Sequence, residues 1–290
     1  MSAQILDGKV IAERVRQEVK LRAAAFEQHA GRKAGLEVVL VGDDPASQVY
    51  VGSKERSSSE LGMRGAVHRL PADTTQAVLM AKVTELNHDA AVDGILVQFP
   101  LPKGLDSEAV VHHIDPRKDV DGLHPMNAGL LASGGQGLRP CTPSGCMRML
   151  TETGVALAGK RAIVIRRSNL VGKPLALMLL AQDCTVTMAH SKTRELAERV
   201  RESDIVVAAV GIAQLVKGDW IKPGAVVIDV GMNRGADKKL VGDVEFAQAK
   251  ERAAWITPVP GGVGLMTVAM LMKNTMDAAE RNASSAASAR

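Results

Sequence analysis

Aromatic side chains are scarce in this chain of 290 residues, where Phe, Trp and Tyr together make up 2%. A core must therefore be built from Val, Ile, Leu, Ala and Met, which suits buried parallel strands covered by helices. Apolar residues make up 46% and charged residues 23%, values that are ordinary for a soluble globular protein. At this length two domains are expected rather than one core.

Cysteine is also sparse, with three residues in the whole chain. Cys141 and Cys146 lie five positions apart without a second pair, so the spacing indicates neither a zinc site nor a disulfide framework. We therefore expect no metal and a reducing compartment. Residues 1–10 carry no apolar signal core, and no apolar run approaches the length of a membrane span. These absences predict a cytoplasmic protein with no membrane partner.

Dense runs of basic residues are absent, although the net charge is +4 and the isoelectric point is about 9.0. This balance slightly favours small anionic ligands and predicts no nucleic-acid partner.

Apolar residues alternate between strand-like and helix-like spacing along most of the chain. Strands are predicted at 36–42, 94–98, 162–166, 184–188, 205–210 and 226–230. Helices are predicted at 9–30, 74–88 and 266–280, with a loop-rich stretch at 115–146. Strand–helix–strand order implies parallel pairing in the first part. The later series has the rhythm of a doubly wound nucleotide-binding domain.

The only tyrosine, Tyr50, precedes Lys54 by four positions. Asp44 and Pro45 are suited to start a helix there, because proline is tolerated in the first turn. On such a helix the phenol ring and the amine share one face. A flat heterocycle that gains or loses a proton needs such a pair. A surface helix with an extended lysine is the alternative, and the pair alone does not decide between them.

Two polar residues lie at predicted strand ends or turns. Gln98 ends a strand, at the edge of a parallel sheet where ligands gather. It either holds a lysine amine or serves as a structural amide. Asp121 lies in a glycine-flanked turn, where it either accepts from its own backbone or accepts two N–H groups from an amino-pyrimidine edge.

The segment 163–174 leaves a predicted strand and enters a helix, a junction that can aim backbone N–H groups at a phosphate. Gly172 is its only glycine, so the dinucleotide fingerprint G-x-G-x-x-G is absent. An ordinary turn with two exposed arginines remains an alternative. About twenty residues later, His190, Ser191, Lys192 and Thr193 supply hydroxyls and a cation, which favours NADP over NAD.

Five separated runs together resemble one family. They are Tyr50-x-x-x-Lys54, Asp93–Pro102 (DGILVQFPLP), Lys118–Gly122 (KDVDG), Arg139–Pro143 (RPCTP) and Pro258–Gly264 (PVPGGVG). Their order and spacing are similar to those of the bifunctional methylenetetrahydrofolate dehydrogenase/methenyltetrahydrofolate cyclohydrolase family. The resemblance covers essentially the whole chain.

The resemblance implies two α/β domains flanking a cleft, the second a Rossmann-like doubly wound parallel sheet. Residues 1–145 plus 268–290 would form the folate-binding catalytic domain, and residues 146–267 the NADP-binding domain. The implied activity is NADP-dependent oxidation of 5,10-methylenetetrahydrofolate to the methenyl form and hydrolysis of that product to 10-formyltetrahydrofolate. The enzyme would be a cytoplasmic homodimer of one-carbon metabolism and purine biosynthesis, acting on tetrahydrofolate derivatives.

The resemblance also implies the site residues. Lys54 would handle the proton of the water step with a lowered pKa, Gln98 would position it, Tyr50 would stack on the folate and Asp121 would anchor the pterin. The expected substrate-binding residues are Tyr50, Lys54, Val97, Gln98, Leu101, Asp121, Pro260, Gly261 and Gly262. The expected cofactor-binding residues are Arg166, Arg167, Ser168, His190, Ser191, Val210, Gly211, Gly231 and Thr267.

Two positions depart from the family pattern. Arg166 replaces the first glycine of the strand–helix turn, where a long side chain either obstructs the cofactor or pairs with a phosphate. Leu265 replaces a proline, which we expect to cost about 0.5–1 kcal/mol and to loosen the wall of the folate site.

Three alternatives to the bifunctional enzyme remain. They are a cyclohydrolase whose NADP binding is impaired by Arg166, a folate- or nucleotide-binding scaffold without turnover, and another two-domain NADP dehydrogenase acting on a small acid. The scaffold without turnover is disfavoured, because the chain retains Tyr50, Lys54, Gln98 and Asp121. The other dehydrogenase requires a catalytic His–Asp or Lys–Asp pair, and none stands out.

Overall fold

A computed structural model of the chain describes residues 2–235 and 238–288, which form two compact units. We call them the three-stranded unit (Arg14–Cys141 and Val268–Arg290) and the six-stranded unit (Met1–Glu13 and Thr142–Thr267). The assignment of folate binding to one predicted domain and of NADP binding to the other stays a prediction.

The described residues contain short strands interleaved with helices, and the strands pair in parallel except for the antiparallel pair β9–β10. The strands are β1 (Gln4–Ile5), β2 (Gly35–Val41), β3 (Arg64–Leu70), β4 (Gly94–Val97), β5 (Arg161–Ile165), β6 (Thr185–Ala189), β7 (Ile205–Ala208), β8 (Val226–Asp229), β9 (Asn233–Arg234), β10 (Leu240–Val241) and β11 (Trp255–Ile256). The helices are α1 (Gly8–Ala30), α2 (Pro45–Glu60), α3 (Gln76–His88), α4 (Ser107–His113), α5 (Pro125–Ala132), α6 (Cys141–Glu152), α7 (Gly172–Leu180), α8 (Leu196–Arg201), α9 (Phe246–Lys250) and α10 (Val263–Ser288).

The three-stranded unit contains a parallel sheet in the order β3–β2–β4. The predicted parallel pairing of the strands near 36–42 and 94–98 is confirmed by β2 and β4. The central strand β2 is buried along its whole length. The edge strand β3 was not predicted, because its residues are mostly half-buried or exposed and its sequence RGAVHRL shows no clean alternation.

The six-stranded unit contains a sheet in the order β1–β11–β8–β7–β5–β6, and its adjacent strands pair in parallel. From β5 the chain moves to β6 on one side and then to β7 on the other. This reversal is the switch point of a doubly wound nucleotide-binding sheet. The expected α/β class with a Rossmann-like sheet is confirmed, and the four strands predicted for this part are β5, β6, β7 and β8.

Aliphatic side chains fill both cores, as the scarcity of aromatic residues requires. Phe26 is the only aromatic residue among the buried residues that the structure describes. The last helix is longer than predicted, since α10 runs from Val263 to Ser288 rather than from 266 to 280. No helix within the described ranges combines the length and the apolar character needed to cross a membrane.

The segment that carries Asp121 lies directly against β4. The Ile95 N–H donates to the Lys118 carbonyl at 2.8 Å, and Ile95 and Asp119 form an isolated parallel bridge. Gly94 makes this approach possible, because a Cβ at that position would lie 2.6 Å from a methyl carbon of Val120. Strand β4, which directly precedes Gln98, therefore also positions the segment that carries Asp121.

Lys118 anchors the other side of this segment. Its ammonium is buried and donates to the carbonyls of Leu86, Asn87 and Asp89 at 3.1, 2.8 and 2.7 Å. These groups lie at the carboxyl end of α3, where helix carbonyls lack partners and a cation is favourable. Burial lowers the pKa of Lys118. One side chain thus joins α3 to the Asp121 segment.

Replacing Lys118 with Met is expected to lower the free energy of unfolding by about 2 kcal/mol, since three carbonyls lose a charged donor. Urea unfolding followed by circular dichroism measures this change. Lys82→Met on the same helix removes only a surface pair with Glu85, and its expected effect is below about 0.5 kcal/mol. Equal stability of the Lys118 and Lys82 variants would contradict the anchoring role.

Candidate active site

Helix α2 presents Tyr50 and Lys54. Asp44 caps the helix by accepting from the Ser47 N–H at 2.8 Å, and Pro45 occupies the first turn, which confirms the predicted start. Val51 is fully buried, whereas Tyr50 is 51% exposed and Lys54 is half-buried. The helix therefore packs through one face and leaves the phenol ring accessible for stacking.

Lys54 and Gln98 meet within the three-stranded unit. Lys54 Nζ donates to Gln98 Oε1 at 2.8 Å. The other end of the same amide, Gln98 Nε2, donates to the Phe99 carbonyl at 2.7 Å. This second bond fixes which end of the amide faces the amine, because the nitrogen is committed to the backbone. The sequence left open whether Gln98 holds a lysine, and the structure places the two together.

Asp121 lies in a turn whose geometry depends on the next residue. Gly122 has a φ of 69°, and a Cβ there would lie 2.4 Å from the Arg139 carbonyl carbon. The backbone-bonding role that is common for Asp in turns belongs to Asp119, which accepts from the His124 N–H at 2.8 Å. The one described hydrogen bond of the Asp121 side chain comes from Cys141 Sγ, at 3.9 Å.

Asn274, on α10, bridges the two segments that carry Asp121 and Cys141. Its side-chain amide donates to the carbonyls of Val120 and Arg139, both at 2.8 Å. No sequence pattern indicates this role of Asn274, because an Asn inside an amphipathic helix gives no indication of its partners. Its burial among apolar neighbours is explained by these two bonds.

The charges at this site shift one another. Burial lowers the pKa of Lys54, and the negative charge of Asp121 partly offsets that effect. Burial raises the pKa of Asp121 to about 6, against the opposing charge of Lys54. Burial also raises the pKa of the Cys141 thiol well above its usual value, which keeps the thiol neutral. The amine and the carboxyl thus approach each other in proton affinity, as acid–base chemistry near neutral pH requires.

The predicted cofactor residues gather at one edge of the six-stranded sheet. Arg166, Arg167 and Ser168 follow β5, His190 and Ser191 follow β6, Val210 and Gly211 follow β7, and Gly231 follows β8. In parallel sheets this carboxyl edge is where nucleotides bind. The exception is Thr267, which lies within α10 and contacts the hydroxyl of Thr142 at 3.2 Å.

Arg166 does not strain the backbone, because its φ is not positive. The backbone at this position therefore does not require glycine for an unusual φ. The side chain is exposed, and its Nη1 donates to the Val210 carbonyl at 2.8 Å. At this turn it is Gly172 that must lack a side chain, because a Cβ there would lie 2.2 Å from the Arg166 carbonyl oxygen.

Two buried aspartates of the six-stranded unit, Asp229 and Asp243, belong to no motif that the sequence shows. Asp229 accepts from the N–H groups of Gly231, Asp243 and Val244 at 2.8–2.9 Å. Burial raises its pKa to about 6. Asp243 accepts from the N–H groups of residues 210, 211 and 212 at 2.5–3.0 Å. These carboxylates organise the loops that hold Val210, Gly211 and Gly231.

The remaining predicted substrate residues are divided between the two units. In the three-stranded unit, Val97 is buried within the core and Leu101 packs against it. Pro260, Gly261 and Gly262 belong to the six-stranded unit, where Gly261 has a φ of 105° and accepts from the Gly8 N–H at 2.8 Å. Within the described ranges, no group of three His, Cys, Asp or Glu side chains could hold a metal ion.

Comparison with known proteins identifies two family domains along the chain. Residues 6–121 match the tetrahydrofolate dehydrogenase/cyclohydrolase catalytic domain. Residues 140–283 match the NAD(P)-binding domain of the same family. Bifunctional protein FolD of Sorangium cellulosum is 60% identical over 97% of this chain and 98% of that protein. Bifunctional protein FolD 2 of Myxococcus xanthus is 57% identical over 97% of each.

Two solved structures are similar over nearly the whole length. The FolD methylenetetrahydrofolate dehydrogenase/cyclohydrolase of Campylobacter jejuni has a TM-score of 0.93 and 42% identity, covering 97% of this chain and 99% of that one. The Trypanosoma brucei enzyme, complexed with NADP and an inhibitor, has a TM-score of 0.90 and 41% identity, covering 97% and 98%.

Replacing Asp121 with Asn is expected to lower the pKa of Lys54 further, because the carboxylate is the largest influence that raises it. Reductive ¹³C-methylation of the lysines, followed by NMR titration, measures this pKa once a Lys54→Arg sample has assigned the resonance. Asp43→Asn, at an exposed position, serves as the control. An unchanged or raised Lys54 pKa in the Asp121 variant would show that the two charges do not interact.

Proposed function

Since the chain belongs to the tetrahydrofolate dehydrogenase/cyclohydrolase family, we propose that the Lys54–Gln98 pair carries the proton transfers of its hydrolytic step. The chain is a bifunctional enzyme. It oxidises 5,10-methylenetetrahydrofolate with NADP and hydrolyses the resulting methenyl compound to 10-formyltetrahydrofolate. A chain that keeps only the cyclohydrolase is not favoured by these relatives, and we do not propose it.

The observation that carries the proposal is the hydrogen bond from Lys54 Nζ to Gln98 Oε1. Burial also lowers the pKa of this Lys54 amine. A methenyl group is a cation, so a neutral amine lies beside it at lower electrostatic cost than an ammonium. The neutral amine removes a proton from the attacking water as the new C–O bond forms. Returning that proton to N5 assists cleavage of the C–N5 bond, and release of the remaining hydroxyl proton to solvent leaves the formyl group on N10.

Asp121 and Tyr50 have binding roles in this proposal. The Asp121 carboxyl is free of backbone donors in the described residues, so its oxygens remain to accept N–H groups from the pterin edge. The half-exposed ring of Tyr50 offers a face for stacking on a heterocycle. Val97, Leu101 and residues 260–262 are proposed as further substrate-binding positions.

The six-stranded unit is proposed to bind NADP, and its donor set fits that molecule. Arg166 and Arg167 supply cations after β5, Ser168 supplies a hydroxyl, and His190 with Ser191 follow β6, at the position where a ribose 2′-group is recognised. Gly211, Gly231 and Val210 form the neighbouring loops, and Thr267 is proposed to contribute from α10. When bound, NADP accepts the hydride released by the methylene carbon.

Three further features are proposed from the family. The enzyme acts as a homodimer in the cytoplasm, and its 10-formyltetrahydrofolate supplies one-carbon groups for purine biosynthesis. Residues 1–145 plus 268–290 bind folate, and residues 146–267 bind NADP. The described residues divide into units at 141/142 and 267/268, close to the proposed boundaries. Residues 1–13 differ from the assignment, because they belong to the six-stranded unit.

Replacing Lys54 with Met is expected to lower the cyclohydrolase rate by about 10²- to 10⁴-fold, because the step loses its proton carrier. A Lys54→Arg variant should be equally inactive, since arginine keeps the charge but does not deprotonate. Absorbance of the methenyl substrate follows the reaction.

Lys103→Met, an exposed lysine of the same unit, is the matched control and should retain the full rate. NADP affinity should be the same in all three variants, which separates loss of chemistry from loss of fold. Wild-type hydrolysis by either Lys54 variant would contradict the assigned role.

A further inference from the structure

The strand-to-helix turn after β5 lies at the switch point of the six-stranded sheet, because β6 and β7 flank β5 on opposite sides. In doubly wound sheets the cofactor's pyrophosphate crosses this crevice. Arg166 is the first residue after β5, and its guanidinium reaches the Val210 carbonyl beyond the end of β7. The side chain therefore spans the crevice from one strand end to the next.

Six backbone N–H groups beside this crevice, of the kind that usually binds a pyrophosphate, are already occupied. On the β7 side, the Asp243 carboxylate accepts from the N–H groups of Val210, Gly211 and Ile212. Three successive N–H groups of this kind otherwise form an anion-binding nest. Here the protein's own carboxylate fills it.

The start of α7 is occupied in the same way. Ser168 Oγ accepts from the N–H groups of Val171 and Gly172 at 3.2 and 3.3 Å. The Ser168 carbonyl accepts from the Lys173 N–H at 3.0 Å. They belong to the N-cap residue and the first two residues of α7, where N–H groups ordinarily face a phosphate.

The guanidinium of Arg166, by contrast, has unused N–H donors. It makes one hydrogen bond and no ion pair among the described residues, although a guanidinium carries five N–H donors. Its charge is opposite to that of Asp243, whose carboxylate binds the N–H of the same Val210 and would repel a phosphate at this edge.

From this arrangement we infer that Arg166 is a pyrophosphate-binding residue of the cofactor site, in place of the backbone donors that Asp243 and Ser168 occupy. The Val210 carbonyl holds the guanidinium across the crevice, and its unused N–H groups bind the phosphate oxygens of the dinucleotide. The inference rests on the proposed function, because it names the part of NADP that one residue contacts. It also predicts that Arg166 does not distinguish NADP from NAD, since both carry the same pyrophosphate.

Replacing Arg166 with Met is expected to raise the dissociation constants of NADP and NAD by the same factor, about fivefold to tenfold for one exposed charge-assisted contact. Arg166→Lys keeps the charge without the planar fork, and its affinities should lie between those of wild type and the Met variant. Isothermal titration calorimetry measures binding directly, and the loss should shrink as salt rises.

Arg161→Met is the matched control, because Arg161 is an exposed arginine at the opposite end of the same strand. Its affinities should equal those of wild type. Unchanged or tighter binding by the Met variant would overturn the inference, and so would weakening of NADP alone, which would assign Arg166 to the 2′-phosphate. Cyclohydrolase activity of each variant reports separately on the proposed function, since that step needs no dinucleotide.

Discussion

The hydrogen bond between Lys54 and Gln98 is the constraint on which the proposed chemistry depends. A lysine on an isolated surface helix is fully charged and mobile, and it has no use as a proton carrier near neutral pH. Burial favours the neutral amine, while Asp121 favours the ammonium. The Gln98 carbonyl oxygen accepts from either form, so it holds the amine in place as the proton comes and goes.

Buried carboxylates have a structural role throughout the loops of this protein. Asp119, Asp229 and Asp243 each accept from backbone N–H groups of turns that hold predicted site residues. A carboxylate can accept several N–H groups at once, so one side chain fixes a loop that lacks regular structure. Asp121 differs in that its described hydrogen bond is to a thiol, which leaves this carboxyl available for a ligand.

Much of the fold and of the candidate site was predictable from the sequence, and the features that were not predictable have physical reasons. The strands β5, β7 and β8 are buried apolar runs with a clear pattern, and the start of α2 follows from Asp44 and Pro45. Strand β3 lies at a sheet edge, where polar residues are tolerated and the alternating pattern is lost. The Lys54–Gln98 contact was one of two open alternatives, because it joins residues 44 positions apart. The roles of Asn274 and Asp243 had no local pattern, since their partners lie in other segments.

The two departures from the family pattern are compatible with the fold for different reasons. Arg166 has an ordinary backbone conformation, and the close contact at its turn is provided by Gly172. Leu265 lies in the first turn of α10, where its N–H donates to the Gly262 carbonyl at 3.2 Å. Proline has no N–H and cannot make that bond. The hydrogen bond that leucine adds therefore partly offsets its greater conformational freedom in the unfolded chain. Neither substitution alters Lys54, Gln98 or Asp121, and neither residue has a positive φ, so the backbone that presents the site groups carries no left-handed strain at these positions.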